Sequence, residues 1–69
     1  MMKVRMKHGL CDIYQSIMPK EFDDDVEDFL NSIDGKDVEL VFIGPDAFEK
    51  NDNNYWLPNE LWENSDGRD

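Results

Sequence analysis

The sequence predicts an α+β fold: a small, bent antiparallel sheet of about three to five strands with one acidic amphipathic helix packed on it. Three observations predict it. Residues 19–35, PKEFDDDVEDFLNSIDG, carry apolar side chains at helical spacing. Residues 38–43, VELVFI, form the densest run of β-branched and aromatic residues in the chain. Residues 3–8, KVRMKH, alternate strictly between basic and apolar, the signature of a half-buried strand.

On a 3.6-residue period, Phe22, Val26, Phe29, Leu30 and Ile33 fall into one stripe that a helix can bury. Pro19 suits the first helical turn, where its missing N–H costs nothing, and Gly35 suits the left-handed residue just past the end. Asp24, Glu27 and Asp28 occupy the opposite side, flanked by Glu21, Asp23 and Asp25. These acids crowd the helix N-terminus, where the positive end of the dipole offsets part of their repulsion. Burial explains the stripe; it does not explain six acids among the eight residues 21–28 with no base between them.

The remaining elements follow in order. Val4, Met6 and His8 share one face of the first strand and Lys3, Arg5 and Lys7 the other, an arrangement expected at a sheet edge, where lysines discourage strand addition. Gly9 ends it. Residues 10–18, LCDIYQSIM, read as a loop with a short helical turn that crosses the core. Residues 34–37 make a turn, and the strong strand follows, with Val38, Leu40 and Phe42 on one face and Val41 and Ile43 on the other. Gly44-Pro45 stops it. Residues 46–54 read as a polar excursion in which Ala47 and Phe48 dip toward the core and Asn53-Asn54 supply a tight turn. A strand through Tyr55 to Leu57 meets Pro58, which begins a one-turn helix and returns Leu61 and Trp62 to the core. The chain is then a single compact domain over residues 1–63, with 64–69 as a flexible tail.

Size and composition bound what this domain can do. At 69 residues, 39% of them hydrophobic, it has a small core and no room for a deep substrate cavity beside it. Four Phe, two Trp and two Tyr argue against disorder. The net charge of −10 is unevenly placed. Residues 1–20 carry Lys3, Arg5, Lys7 and Lys20 against Asp12 alone, a balance of +3; the remainder carries sixteen acids against Lys36, Lys50 and Arg68, a balance of −13. Such a surface repels nucleic acid and anionic membranes and attracts basic proteins. Cys11 is the only cysteine, so no internal disulfide forms, and with no apolar leader or span the expectation is a soluble, cytoplasmic protein.

The C-terminal half resembles the last part of SH3-like small barrels. The likeness is carried by Gly35-Lys36-Asp37-Val38-Glu39-Leu40-Val41-Phe42, a polar hairpin, and Trp56-Leu57-Pro58-Asn59-Glu60-Leu61-Trp62-Glu63. It implies a strand ending at a proline, a single 3₁₀ turn and a short final strand. The inserted acidic helix, and the lack of an acidic aromatic-rich loop near the N-terminus, depart from the SH3 pattern that reads proline-rich peptides.

Several residue groups invite chemistry. His8 and Cys11 are close in sequence, but nothing nearby supplies an orienting group or an anion hole, so no enzyme is expected. Asp23, Asp24, Asp25 and Glu27, or Asp46 with Asp52, offer oxygens to a hard cation, yet the spacing fits no calcium loop and one Cys with one His spells no zinc site. No metal or cofactor is expected. Phe48, Tyr55, Trp56 and Trp62 form the core or a peptide groove; in the alternative function, Tyr55, Trp56 and Trp62 are the aromatic interface of an SH3-like adaptor or assembly module.

The acidic helix face is the main candidate. Carboxylates three and four positions apart lie about 5–6 Å apart at their Cβ atoms and can spread toward phosphate spacing. A dense, rigid row of them can enter the cleft in which lysines and arginines of a DNA-binding protein neutralise phosphates. The plain alternative is a solvated helix face. In size, charge and clustered acids the chain resembles the small acidic DNA-mimic proteins encoded by phages, inhibitors of the nucleoid protein HU among them. That resemblance implies a non-enzymatic inhibitor occupying the DNA cleft of a basic, HU-like host protein. Asp24, Glu27 and Asp28 would stand for phosphates, with Glu21, Asp23, Asp25, Asp34 and Glu39 extending the row and Asp46, Glu49 and Asp52 joining it if the fold brings them alongside.

Overall fold

A computed structural model describes residues 2–64. The chain runs β1 (Met2–Met6), α1 (Leu10–Ile17), α2 (Asp24–Ile33), β2 (Asp37–Ile43), β3 (Asp46–Glu49), β4 (Asp52–Trp56) and β5 (Trp62–Asn64), with a 3₁₀ turn at Asn59–Leu61 before the last strand. The strands form one antiparallel sheet in the order β4-β3-β2-β1-β5. The fold is therefore α+β with a small sheet, as the sequence predicts.

β1 is not an edge strand. Its Met2 to Arg5 pair with Leu40 to Asp37 of β2, while Val4 and Met6 pair with Asn64 and Trp62 of β5. Val4 and Met6 are buried on the inner face. The basic residues serve the outer face instead of blunting an edge: Lys3 sits opposite Glu39, and Arg5 lies between Asp37 and Glu63.

Two helices, rather than one, cover the sheet. Residues 10–17 form a full helix because Leu10 and Tyr14, one turn apart, are buried in the common core. So short a helix is marginal alone, and tertiary packing sustains it. α2 starts five residues later than Pro19 suggests. The Asp23 carboxylate accepts a hydrogen bond from the Val26 N–H (2.9 Å), and this cap fixes the first turn at Asp24. Pro19 to Glu21 form a turn, closed by the Glu21 N–H on the Met18 carbonyl. Phe22, just before the cap, packs its ring against Tyr14 with centroids 6.2 Å apart. Gly35, at φ +69°, ends α2 in the left-handed conformation.

The expected polar excursion is a β-hairpin. β3 extends β2, pairing Ala47 with Phe42 and Glu49 with Leu40, and β4 returns along β3 with a register irregularity at Phe48/Glu49. The turn falls at Lys50-Asn51, where the Glu49 carboxylate accepts the Asn51 N–H (2.9 Å). Asn53 and Asn54 lie in β4, and among the described residues only glycines have positive φ. Beyond β4 come buried Leu57, then Pro58, the 3₁₀ turn and β5, with Leu61 fully buried and the Trp62 Nε1–H donating to the Leu57 carbonyl (3.4 Å). Asn64 belongs to β5 rather than to a tail; residues 65–69 lie outside the described residues.

One core joins both helices to the sheet: Leu10 and Tyr14 of α1; Val26, Phe29, Leu30 and Ile33 of α2; Val4, Met6, Leu40 and Ala47 of the strands. The β2 pattern holds only in part. Leu40 is buried, but Phe42 is 50% exposed and Ile43 57% exposed, because the pairing with β1 ends at Leu40 among the described residues. No helix among them is long and apolar enough to cross a membrane.

Candidate functional site

At about 100° per residue, the buried set Val26, Phe29, Leu30 and Ile33 defines the underside of α2. Asp24 and Asp28 then fall on its crest, with Asp25 on one flank and Glu27 on the other. All four side chains are exposed. Neighbours identify the flanks. Phe29 stacks at 5.0 Å on Tyr55 of β4, so the Asp25 flank looks toward β4. The Cys11 thiol lies 3.9 Å from the Glu27 carbonyl and 3.6 Å from the Asn31 Oδ1, so the Glu27 flank looks toward α1.

The electrostatics divide the same way. Burial raises the Tyr55 phenol above its ordinary value, and the negative field of Asp25, Asp52, Asp23 and Asp28 adds to it. Asp52 of β4 therefore joins the helix acids across Tyr55. Tyr14 is raised by burial and by Glu21 and Asp23. On the other flank burial, then Glu27, Asp34 and Asp12, push the Cys11 thiol up. A raised thiol is the reverse of an activated nucleophile, so this cysteine is a packing residue at the α1–α2 contact.

Arg5 of the N-terminal strand and Lys50 of the hairpin turn are engaged elsewhere. Arg5 Nε donates to the Asp37 carboxylate (2.9 Å), holding that carboxyl below its usual range, and Lys50 Nζ reaches Glu39 (3.2 Å), both on or beside β2. Among the described residues no ion pair reaches Asp24, Asp25, Glu27 or Asp28. Among the described residues the acidic crest of α2 thus has no ion pair, while Asp37 and Glu39 on the outer sheet face each have one.

Three expected members of the row do other work. The Asp34 carboxylate accepts the Gly9 and Leu10 N–H groups at 3.0 Å each and faces His8 Nδ1 at 3.3 Å, so it caps α1 from the end of α2. Those bonds, the one from Leu10 foremost, hold its carboxyl below the usual range. Glu39 belongs to the outer sheet face with Lys50. Glu49 is buried and closes its own turn. Asp46, at the start of β3 opposite Ile43, lies at the far end of the hairpin from that turn. What comes together is Asp23, Asp24, Asp25 and Asp28 with Asp52, and Glu27 beyond the crest; Glu21 adjoins them through Tyr14.

The chain matches no family model, curated protein or solved structure.

Among the described residues no cluster of three or more His, Cys, Asp or Glu is arranged to hold a metal ion. The helix acids diverge around a convex crest, whereas a hard cation needs six or more oxygens converging on one point. A convex row suits a concave, positively charged partner. Sequence reasoning left Asp52 conditional on the fold, since it carries no periodic signal that would place it beside α2. It missed the exposure of Phe42, which lies beyond the last β2 residue paired with β1 among the described residues.

Proposed function

We propose that this protein is a non-enzymatic DNA mimic, whose α2 acids enter the DNA-binding cleft of a basic, HU-like protein and block it. One observation carries the reading: the α2 acids Asp24, Asp25 and Asp28 stand exposed and, among the described residues, in no ion pair, while Arg5 and Lys50 pair with Asp37 and Glu39 on another face. Asp24 and Asp28, four residues apart, are separated by about 6 Å along the helix axis, close to the rise of two base pairs at about 3.4 Å each. Rigid backing by Phe29 and Leu30 keeps these charges in place, so the ordering cost of binding is small.

The test is competition. HU and a labelled duplex, mixed at low salt with increasing amounts of the protein, should release the duplex. Undiminished DNA binding removes the HU version of the proposal. Reversing Asp24, Asp25 and Asp28 to Lys should abolish release without unfolding the domain, because none of the three contributes to the core. Glu39→Gln, on the outer sheet face, should leave release intact.

A second reading is an assembly module using an aromatic surface, favoured by the exposure of Phe42, Ile43 and Trp56. The aromatic set it requires differs from the one expected: Tyr55 is packed on Phe29 and Trp62 is half-buried, leaving Trp56 as the accessible ring. Under this reading charge reversal on α2 spares binding and Trp56→Ala removes it.

A further inference from the structure

Ile17 at the end of α1, Phe42 and Pro45 on the β2–β3 hairpin, and Trp56, Pro58 and Trp62 toward the C-terminus line one open cleft of about 510 Å³. Trp56 is also a wall of a second groove of about 480 Å³, whose lining includes Tyr55, Glu21 and Asp23. The apolar cleft and the two acids that lead into α2, Glu21 and its cap Asp23, therefore meet at one indole ring. Neither groove has a Lys or Arg in its lining among the described residues, and Glu60 stands in the wall of the apolar one.

These charges choose among occupants. A second copy of this chain would bring another −10 to the contact, and an anionic lipid surface is repelled in the same way. An apolar side chain carried on a basic segment gains from both halves of the surface. We propose that the Trp56 cleft receives one apolar side chain of a Lys- or Arg-flanked segment, belonging to the same partner that α2 engages. This rests on the DNA-mimic reading and narrows it. Proteins that kink DNA from the minor groove combine basic side chains with an apolar wedge pushed between base steps. A mimic of that kinked duplex needs a row of acids and an apolar slot beside it. The partner is then a wedge-inserting, DNA-bending protein rather than a reader that lays a helix in the major groove.

Two synthetic peptides of equal charge test the cleft: one with leucine between lysines, its twin with glycine at that place. Binding is followed by calorimetry and by the fluorescence of Trp56 and Trp62. The leucine peptide should bind about tenfold more tightly, consistent with burial of one aliphatic side chain. Phe42→Ser, at a half-exposed position, should bring the ratio to about one without changing affinity for the glycine peptide, and Ile17→Ser, on a separate element, provides a second check should Phe42→Ser fold poorly. Reversal of Asp24 and Asp28 should weaken both peptides alike and preserve the ratio. Equal affinities for the unmodified protein, or a ratio that survives both cleft variants, overturn the proposal. So does Phe42-dependent dimerisation in sedimentation without peptide preference, which assigns the cleft to a second copy. A tenfold ratio with no effect on HU–duplex binding upholds the cleft's occupant and overturns only the reading of α2 as a mimic of HU's duplex.

Discussion

Tyr55 is where the acids of this surface report on one another. Its ring lies on Phe29, and its hydroxyl sits in the field of four carboxylates from two elements, Asp23, Asp25 and Asp28 of the α2 region and Asp52 of β4. Burial is the larger cause of its raised pKa, and the acids supply the rest. Ultraviolet titration should therefore place both tyrosines above the ordinary value of about 10. Asp25→Asn with Asp28→Asn should lower Tyr55 and leave Tyr14, whose acidic neighbours are Glu21 and Asp23, where it was. A Tyr55 unmoved by those changes would mean that the crest acids do not converge there. The same residue-scale logic separates Asp23 from its neighbours. Its carboxylate is committed to the Val26 N–H, so it contributes charge to the row and a cap to the helix, and its removal costs about 1 kcal/mol whatever the partner.

Between elements, Asp34 joins the two helices. It terminates α2 and, through the N–H groups of Gly9 and Leu10, starts α1. Asp34→Ala leaves those donors without their acceptor and should cost about 1–2 kcal/mol. The pH dependence has a definite sign. The folded-state pKa is depressed, so the contribution is present above the unfolded value of about 3.9 and is lost as pH falls through the lower, folded one. Urea unfolding of wild type and Asp34→Asn should differ most near neutral pH and converge in strong acid; a gap constant down to about pH 2 would show that the carboxylate charge is not what caps α1. Asp37, lowered by Arg5, titrates in the same window in both proteins and does not obscure the comparison. This cap also shows why the fold was legible only in part. The α2 stripe from Val26 on, the alternation of β1 as far as Met6 and the buried Leu40 of β2 are local patterns that formed where they lie. His8, expected in the strand, is instead exposed beyond its end, and Phe22 precedes the helix. α1 was obscured because its start depends on a residue 24 positions away in sequence. The β3–β4 hairpin was obscured because Asp52, Asn53 and Asn54 are poor strand formers, held extended by pairing with β3 and by the Asp52 side chain on the Asn54 N–H. Of the site, the crest acids could be read from helical periodicity alone. The outward commitments of Asp34 and Glu39 could not, since each depends on which strands become neighbours.

For the whole molecule, charge opposes folding and favours binding, and salt tells the two apart. The domain measures 31 × 24 × 18 Å. At about 0.01 M salt the screening length is about 30 Å, so each acid acts on all the others; at about 1 M it is about 3 Å and only contacts remain. The exposed ion pairs Arg5–Asp37 and Lys50–Glu39 are worth little and cannot balance a net −10. Sodium chloride should therefore stabilise the free protein, raising its Tm by several degrees over that range, since about 1 kcal/mol corresponds to about 4–8 °C in a domain of this size. A Tm that falls with salt would show that the pairs on the outer sheet face outweigh the repulsion. The same addition should weaken the complex with a basic partner steeply, because the energy gained there comes from the acidic crest. Reversing Asp24 and Asp28 to Lys should flatten both slopes together, raising low-salt stability as it removes low-salt binding. The leucine preference of the Trp56 cleft should hold its ratio throughout, because desolvation of an aliphatic side chain is not screened by ions. One repulsive row thus accounts for two opposite salt responses, and a variant that flattened one slope while leaving the other intact would separate the acids that strain this fold from those that recognise its partner.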